Sequence, residues 1–448
     1  MTQAHKTSVT AAVPNDLEAF FMPFTANRAF KARPRLIARA KDMHYYAPDG
    51  RAILDGAAGL WCTNAGHNRD PIVQAIQAQA ATLDFAPTFQ FGHPRAFELA
   101  SRIAALAPGD LDQVFFCNSG SEAADTALKI ALAYWVARGQ GQRTRFIGRE
   151  RGYHGVGFGG MAVGGLANNR KASGAMLPGV DHLPHTYNRE HQAYSKGEPE
   201  WGAHLADELE RIVALHSDTT IAGVIVEPMA GSTAVLPAPQ GYLKRLRQIC
   251  DKYGLLLIFD EVITGFGRLG HAFAAERYGV VPDMITFAKG VTNGAVPMGG
   301  VITSTEIHDA FMTGPEYAVE LAHGYTYSAH PLACAAGLAT LDIYRNDDLF
   351  ARAKGLEGYW ADAAHKLKGL ANVIDIRTVG LVAGIELSSR PGAIGARAYD
   401  ILVKCYESGA LVRVTGDIIA LSPPLIIEKS QIDELVGTIG GVLREMGR

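Results

Sequence analysis

Six short apolar runs of strand length recur along one stretch of this chain. They are "QVFFC" from Gln113, "RFIG" from Arg145, "IAGVIVEP" from Ile221, "LLLIFDE" from Leu255, "DMITFAKG" from Asp283 and "MGGVITS" from Met298. Helix-patterned segments lie between them, such as "SEAADTALKIALAYWVA" and the amphipathic "GYLKRLRQICDKYG", with Gly254 as its stop. Strands that alternate with helices indicate an α/β domain around a mostly parallel sheet. The alternation constrains the fold more than any total does. With 448 residues, 48% of them hydrophobic and 19% charged, there is material for two or three domains and a large core.

The flanks read differently. The first sixty residues are irregular, with strand candidates such as "RAILD". "DPIVQAIQAQAATL" reads as a helix with Asp70 as cap ahead of a proline, and "HPRAFELASRIAAL" as another. Beyond about Ala333 come longer helices, the strand pair "NVIDIRTVGLVAGIEL", then "LVRVTGDIIALSPPL" and the serine-capped helix "SQIDELVGTIGGVLREMG". This part reads as a smaller α+β domain.

Charge and cysteine usage exclude several functions. The net charge is -3 and no long basic run occurs, which argues against nucleic acid and anionic membrane as partners. Five scattered cysteines suggest neither disulfides nor a zinc cluster and fit a reducing, cytoplasmic setting. The N-terminus lacks a basic start and a sustained apolar core, so no signal peptide is expected. No apolar run is long enough to span a membrane.

Ligands of open α/β sheets gather beyond the carboxyl ends of the strands. Asp260 ends "LLLIFD" there, and a carboxylate at the mouth of a buried strand costs several kcal/mol unless it is paired. Lys289 follows the next run. Two arrangements satisfy both: a direct ion pair, or a ligand between them, with Lys289 bonded to an aldehyde and Asp260 facing a cationic ring nitrogen. Pyridoxal phosphate needs the second arrangement. It also needs a phosphate cup, which the turn Ser119-Gly120-Ser121 at a helix start could supply. The same turn also has capping-box spacing, Ser119 to Glu122. Tyr153-His154, set among glycines in "ERGYHGVGFGG", offers a ring for stacking; no helix pattern follows, so a dinucleotide fingerprint is not read there. His182 and His185 in "DHLPH" have no carboxylate in view, and no metal is expected.

"NSGSEAADTALK", "GYHG", "VEP", "IFDEVITGFGR", "FAKGVTNG" and "HGYTYSAHPLACAAG" together resemble the class III aminotransferases. The likeness covers nearly the whole chain. "FMPFTANR", "GLWCTNAGH", "FQFGHP", "VDHLPHTYN" and "FMTGPEYAVELAHGYTYSAHP" resemble most closely the omega-amino acid–pyruvate group. The resemblance implies the aspartate-aminotransferase-like fold, type I of the pyridoxal-phosphate-dependent transferases. A large domain with a seven-stranded, mostly parallel sheet would occupy 61–333, a small α+β domain 334–448, and residues 1–60 would join the small domain. Lys289 would carry the cofactor as a Schiff base, and Asp260 would hold the pyridinium proton. Val262 and Tyr153 would flank the ring, with Ser119, Gly120, Ser121, His154 and Glu227 around it. Thr326 would reach the phosphate from a neighbouring subunit, implying a homodimer or homotetramer. Phe24, Leu60, Trp61, Tyr153 and Ala230 would line the substrate pocket, and Arg413 would bind a substrate carboxylate. The implied reaction moves an amino group from β-alanine or another primary amine to pyruvate.

Three rival readings remain. An aminomutase or decarboxylase of the same fold, or a transaminase using 4-aminobutyrate or a diamine, would keep the same lysine and aspartate. A nicotinamide-dependent oxidoreductase needs a glycine fingerprint opening a helix, which is not found. A non-enzymatic binding protein has no need of Lys289 and Asp260 together.

Overall fold

The computed structural model describes residues 17–174, 176–233 and 235–447. The opening sixteen residues, on which the expectation of no signal peptide largely rests, lie outside the described residues. Seven strands form the main sheet: β1 (Leu111–Cys117), β2 (Arg145–Arg149), β3 (Val180–Leu183), β4 (Ile221–Val226), β5 (Leu256–Asp260), β6 (Met284–Ala288) and β7 (Gly299–Ser304). Their order is β1-β7-β6-β5-β4-β2-β3. β7 runs antiparallel to both neighbours, while β6, β5, β4, β2 and β3 are mutually parallel.

The uniformly apolar runs have a simple cause. β4, β5 and β6 are buried along their whole length because helices cover both faces. Leu257 and Phe259 enter one core with Leu243, Leu246 and Ile249 of the helix Tyr242–Tyr253. Leu256 and Ile258 point the other way, against Ala127, Leu128 and Ala131 of the helix Gly120–Ala137. The period-two alternation is present, but both faces are apolar. Gly254 ends the helix Tyr242–Tyr253 at φ 61°, the left-handed conformation its position requires.

Two smaller sheets flank this layer. Val373–Val379, Val382–Leu387, Ile418–Leu421 and Arg413–Thr415 form one, with Arg413–Thr415 at an edge. The other joins Arg39–Lys41, His44–Tyr46 and Ala52–Asp55 to Ala410–Leu411. In that sheet Leu54 pairs with Ala410 and Asp55 with Leu411, so the N-terminal strands and the C-terminal region share a ladder.

Three local expectations need correction. The last helix spans Lys429–Met446 and is capped by Glu428, not by Ser430: Glu428 and Gln431 satisfy each other's backbone N–H groups. Asp70 is the first helical residue instead of the cap, and it pairs with Lys41 at 2.9 Å. A helix does follow the glycine stretch at 152–157, but it has six residues, Phe158–Val163, two of them glycine. Tertiary burial supports it, along with the Asp125 carboxylate, which accepts from the Gly160 N–H at 2.7 Å. Among the described residues no helix is long and apolar enough to cross a membrane.

Candidate active site

Asp260 is the last residue of β5, and Lys289 directly follows β6. The strands are parallel neighbours, with Asp260 opposite Thr286. Parallel pairing therefore delivers both side chains to one sheet edge. A cavity there is lined by Gly120, Ser121, Tyr153, His154, Glu227, Asp260, Val262 and Lys289. Gly155 and Ile263, which the sequence did not single out, complete the lining.

Asp260 does not form an ion pair with Lys289. Its Oδ2 lies 2.8 Å from His154 Nδ1, and its Oδ1 accepts from the Val262 N–H at 3.1 Å. Of the two arrangements left open by the sequence, the direct pair is not the one found. A protein side chain nevertheless stands beside the carboxylate. His154 Nε2 is buried with no hydrogen-bond partner among the described residues. Glu227, almost fully buried, accepts from the Tyr153 N–H at 2.8 Å and the Gly231 N–H at 3.0 Å. Burial pushes its carboxyl up, while the charge of His154 and these two N–H groups oppose the shift.

Glu261, for which the sequence offered only an unspecified pairing, has a definite one. It is fully buried, turned away from the cavity, and accepts from the backbone N–H groups of Ala274 and Ala275 and from the Thr264 hydroxyl. It thus pins the loop after β5 to the start of the helix Ala274–Tyr278. Burial raises its carboxyl to about 7. Val262 faces the cavity although β5 has already ended, so the turn that Glu261 pins, not strand alternation, aims it.

Lys289 sits at φ 50°, a left-handed conformation costly for a side chain with a Cβ and characteristic of functional sites. Among the described residues its amine forms no hydrogen bond or ion pair. Burial lowers its pKa, opposed by its neighbours Cys62, Asp260 and Glu227. An amine held this way is more readily neutral, and so more nucleophilic, than a surface lysine.

The opposite wall is a helix start. Ser119 is the N-cap of Gly120–Ala137, its Oγ accepting from the Glu122 N–H at 3.1 Å. The capping box is only half made, since Glu122 reaches back to the Asn118 N–H at 2.7 Å, not to Ser119. Ser119 is therefore a cap and does not line the cavity. The N–H groups of Gly120 and Ser121 have no intrahelical acceptor and face an anion-friendly dipole. A Cβ at Gly120 would lie 2.8 Å from Val262 Cγ1, and one at Gly155 would lie 2.4 Å from Ser121 Oγ. Glycine at both positions lets the wall close around a ligand's anionic end. An unpaired lysine, a fixed carboxylate and a helix-start anion site in one cavity fit pyridoxal phosphate in the chemistry of their donors.

The family model of class-III aminotransferases matches residues 25–443. The chain belongs to the class-III aminotransferases. It is 63% identical over 432 residues to an omega-aminotransferase of Caulobacter vibrioides, covering 96% of this chain and 98% of that protein. It is 48% identical to a beta-alanine–pyruvate aminotransferase of Pseudomonas aeruginosa, with 96% of each covered. Among solved structures, an amine transaminase from an uncultivated Pseudomonas species in its PLP-bound form superposes with a TM-score of 0.88 at 35% identity, covering 95% of this chain and 98% of that one. The fold is that of the type I pyridoxal-phosphate-dependent transferases.

The remaining expected residues are dispersed within this class-III chain. Phe24 and Arg413 line a second cavity, of about 380 Å³, together with Gly59. Arg413 makes no ion pair among the described residues, and its charge acts on Tyr153 and Lys289. Leu60 is exposed. Trp61 and Ala230 are buried and line neither cavity; Trp61 packs among Met229, Ile263 and Ala420, with its Nε1 unpartnered among the described residues. Thr326 is exposed and does not reach the lysine cavity of its own chain.

Proposed function

We propose that this enzyme transfers the amino group of an omega-amino acid such as β-alanine, or of another primary amine, to pyruvate, releasing alanine. The observation that carries the reading is the unpaired Lys289 amine sharing a cavity with the His154-fixed Asp260 carboxylate. The omega-aminotransferase and beta-alanine–pyruvate relatives support the substrates.

Pyridoxal phosphate, when bound, supplies an aldehyde that takes up the amino group and a ring that draws in the electrons left by a departing proton. Lys289 would hold it, and the neutral Lys289 amine would take the proton from the amine-bearing carbon. Asp260 would keep the ring nitrogen protonated, and His154 keeps Asp260 in place. Tyr153 and Val262 would flank the ring, and Glu227 braces the Tyr153 backbone. Gly120 and Ser121 would bind the phosphate through backbone N–H groups, joined by Thr326 of a second copy of the chain. That copy makes the enzyme at least a homodimer. The exposed Phe85, Phe89 and Tyr327 near Thr326 offer an apolar surface for it. Small amines and oxo acids are its partners, in a reducing cytoplasm.

The test is the visible spectrum of the purified enzyme. β-Alanine is expected to bleach the lysine-bound cofactor band and pyruvate to restore it. No bleaching by any amine would overturn the reaction. Bleaching by 4-aminobutyrate or a diamine alone would move the donor within the same reaction.

Arg413 has to serve donors with and without a carboxylate. Its fork suits a carboxylate bidentately, and the cavity it lines leaves it room to swing aside. Arg413→Ala is expected to slow the pyruvate half-reaction by roughly 100-fold and the 1-phenylethylamine half-reaction by less than about threefold. Equal slowing in single-turnover experiments would rule out this division of labour.

A further inference from the structure

Between the N-terminal sheet and the active site runs a turn of unusual backbone. Ala58 (φ 45°), Gly59 (φ 64°) and Trp61 (φ 64°) all have left-handed φ, and two of them carry a Cβ. Such a segment persists only where its surroundings over-determine it. The surroundings here are one buried carboxylate. Asp55, with no solvent exposure, accepts from the Ala57 N–H at 2.8 Å through Oδ1 and from the Gly59 N–H at 2.6 Å through Oδ2. Oδ2 also lies 2.7 Å from Nε2 of buried His67. His67 is fixed in turn. Its backbone bridges to Asp42, and the Tyr45 ring lies against it with centroids 4.1 Å apart. A Cβ on Gly59 would come within 2.8 Å of the Tyr45 hydroxyl, so the turn is enclosed from that side.

The same segment is tied to the strand region that carries Arg413. Gly56 N–H donates to Leu411 O at 2.9 Å, and Ser422 Oγ donates to Ala57 O at 3.2 Å. None of these residues lines the lysine cavity. What the turn exposes is Leu60; Trp61 lies buried behind it, against Met229 and Ile263.

We propose that the Asp55–His67 pair is a positioning device for substrate selectivity, holding the strained turn so that exposed Leu60, backed by buried Trp61, meets the apolar substituent of an amine donor. The proposal rests on the reading that Leu60, with Trp61 behind it, forms the substrate face. Asparagine at position 55 cannot accept from all three donors, because its NH2 opposes at least one N–H. The turn then relaxes toward ordinary φ values, and Trp61 shifts. A donor that binds through its carboxylate depends on Arg413 and is little affected; a donor that binds through an aryl group loses its wall.

The experiment compares single-turnover kcat/KM of the holoenzyme for 1-phenylethylamine and for alanine. Asp55→Asn is expected to lower the first by roughly 30-fold and the second by less than about threefold, a misplacement effect. His67→Phe keeps the ring against Tyr45 and removes the hydrogen bond; about a fivefold loss in the same direction is expected. It decides the matter if Asp55→Asn does not fold. Trp61→Ala reports on the underlying reading. If it changes the ratio of the two donors while the Asp55 and His67 variants slow both equally, the pair is merely structural and the proposal is wrong. If Trp61→Ala leaves the ratio unchanged, the substrate-face reading fails and the proposal falls with it.

Discussion

Replacing Lys289 by alanine is expected to lower the transamination rate on the order of 10⁴-fold, because covalent anchoring and proton transfer are lost together. The neighbouring carboxylates and thiol are not free to take over. Asp260 is committed to His154 and the Val262 N–H, Glu227 to two backbone N–H groups, and the Cys62 thiol to Leu60 O. The measurement is single-turnover kinetics with β-alanine on protein whose circular dichroism matches the wild type. A rate within tenfold of wild type would be incompatible with the proposed role. The depressed Lys289 pKa adds a pH signature. Proton abstraction needs the neutral amine, so the rate rises with pH through a value below the usual 10.5. Stability without cofactor follows the same sign: the folded value lies below the unfolded one, so the apoenzyme gains stability as pH rises from the depressed value towards 10.5.

Asp260→Asn is expected to cost roughly 10²- to 10³-fold in kcat while leaving KM for pyruvate nearly unchanged, since it removes the charge that keeps the ring nitrogen protonated. The variant is expected to fold. The asparagine oxygen can still accept from the Val262 N–H. Its NH2 would then meet His154 Nδ1, which can become an acceptor if the ring proton moves to Nε2. That nitrogen has no hydrogen bond to lose. Asp260→Ala, in contrast, strips buried His154 of its partner and is expected to lose stability as well as activity. Retention of kcat within threefold in Asp260→Asn would remove the electrostatic role.

The residues that chemistry requires were the easiest to see in the sequence. Asp260 and Lys289 each break an apolar run at its carboxyl end, and helices between parallel strands bring such ends together. Gly120 and Ser121 sit at a helix start whose cap is written in "NSGSE". The substrate side was harder. Trp61 and Ala230 lie in different segments, and both are buried in packing that no local pattern announces. Glu261 and His154 were harder still. Glu261 follows a strand, and nothing nearby predicts that its partners are the N–H groups of Ala274 and Ala275. His154 sat in a glycine-rich loop with no visible reason to meet Asp260. The caps failed for a related reason: "EKSQ" holds more than one residue able to cap a helix start, and in "RDP" the helix begins at Asp70 itself, so only the observed backbone sets the boundary.

By itself the sequence determined the layered α/β architecture, the family, and the lysine, aspartate and helix-start glycine at strand ends. These depend on local periodicity and on motifs of contiguous residues. Only the tertiary structure decided that Asp260 pairs with His154, that Glu261 pins the following loop, and that buried Asp55 and His67 hold the turn bearing Trp61. Each is a contact between side chains and backbone groups brought together by folding. A buried carboxylate must find its donors wherever the folded chain puts them.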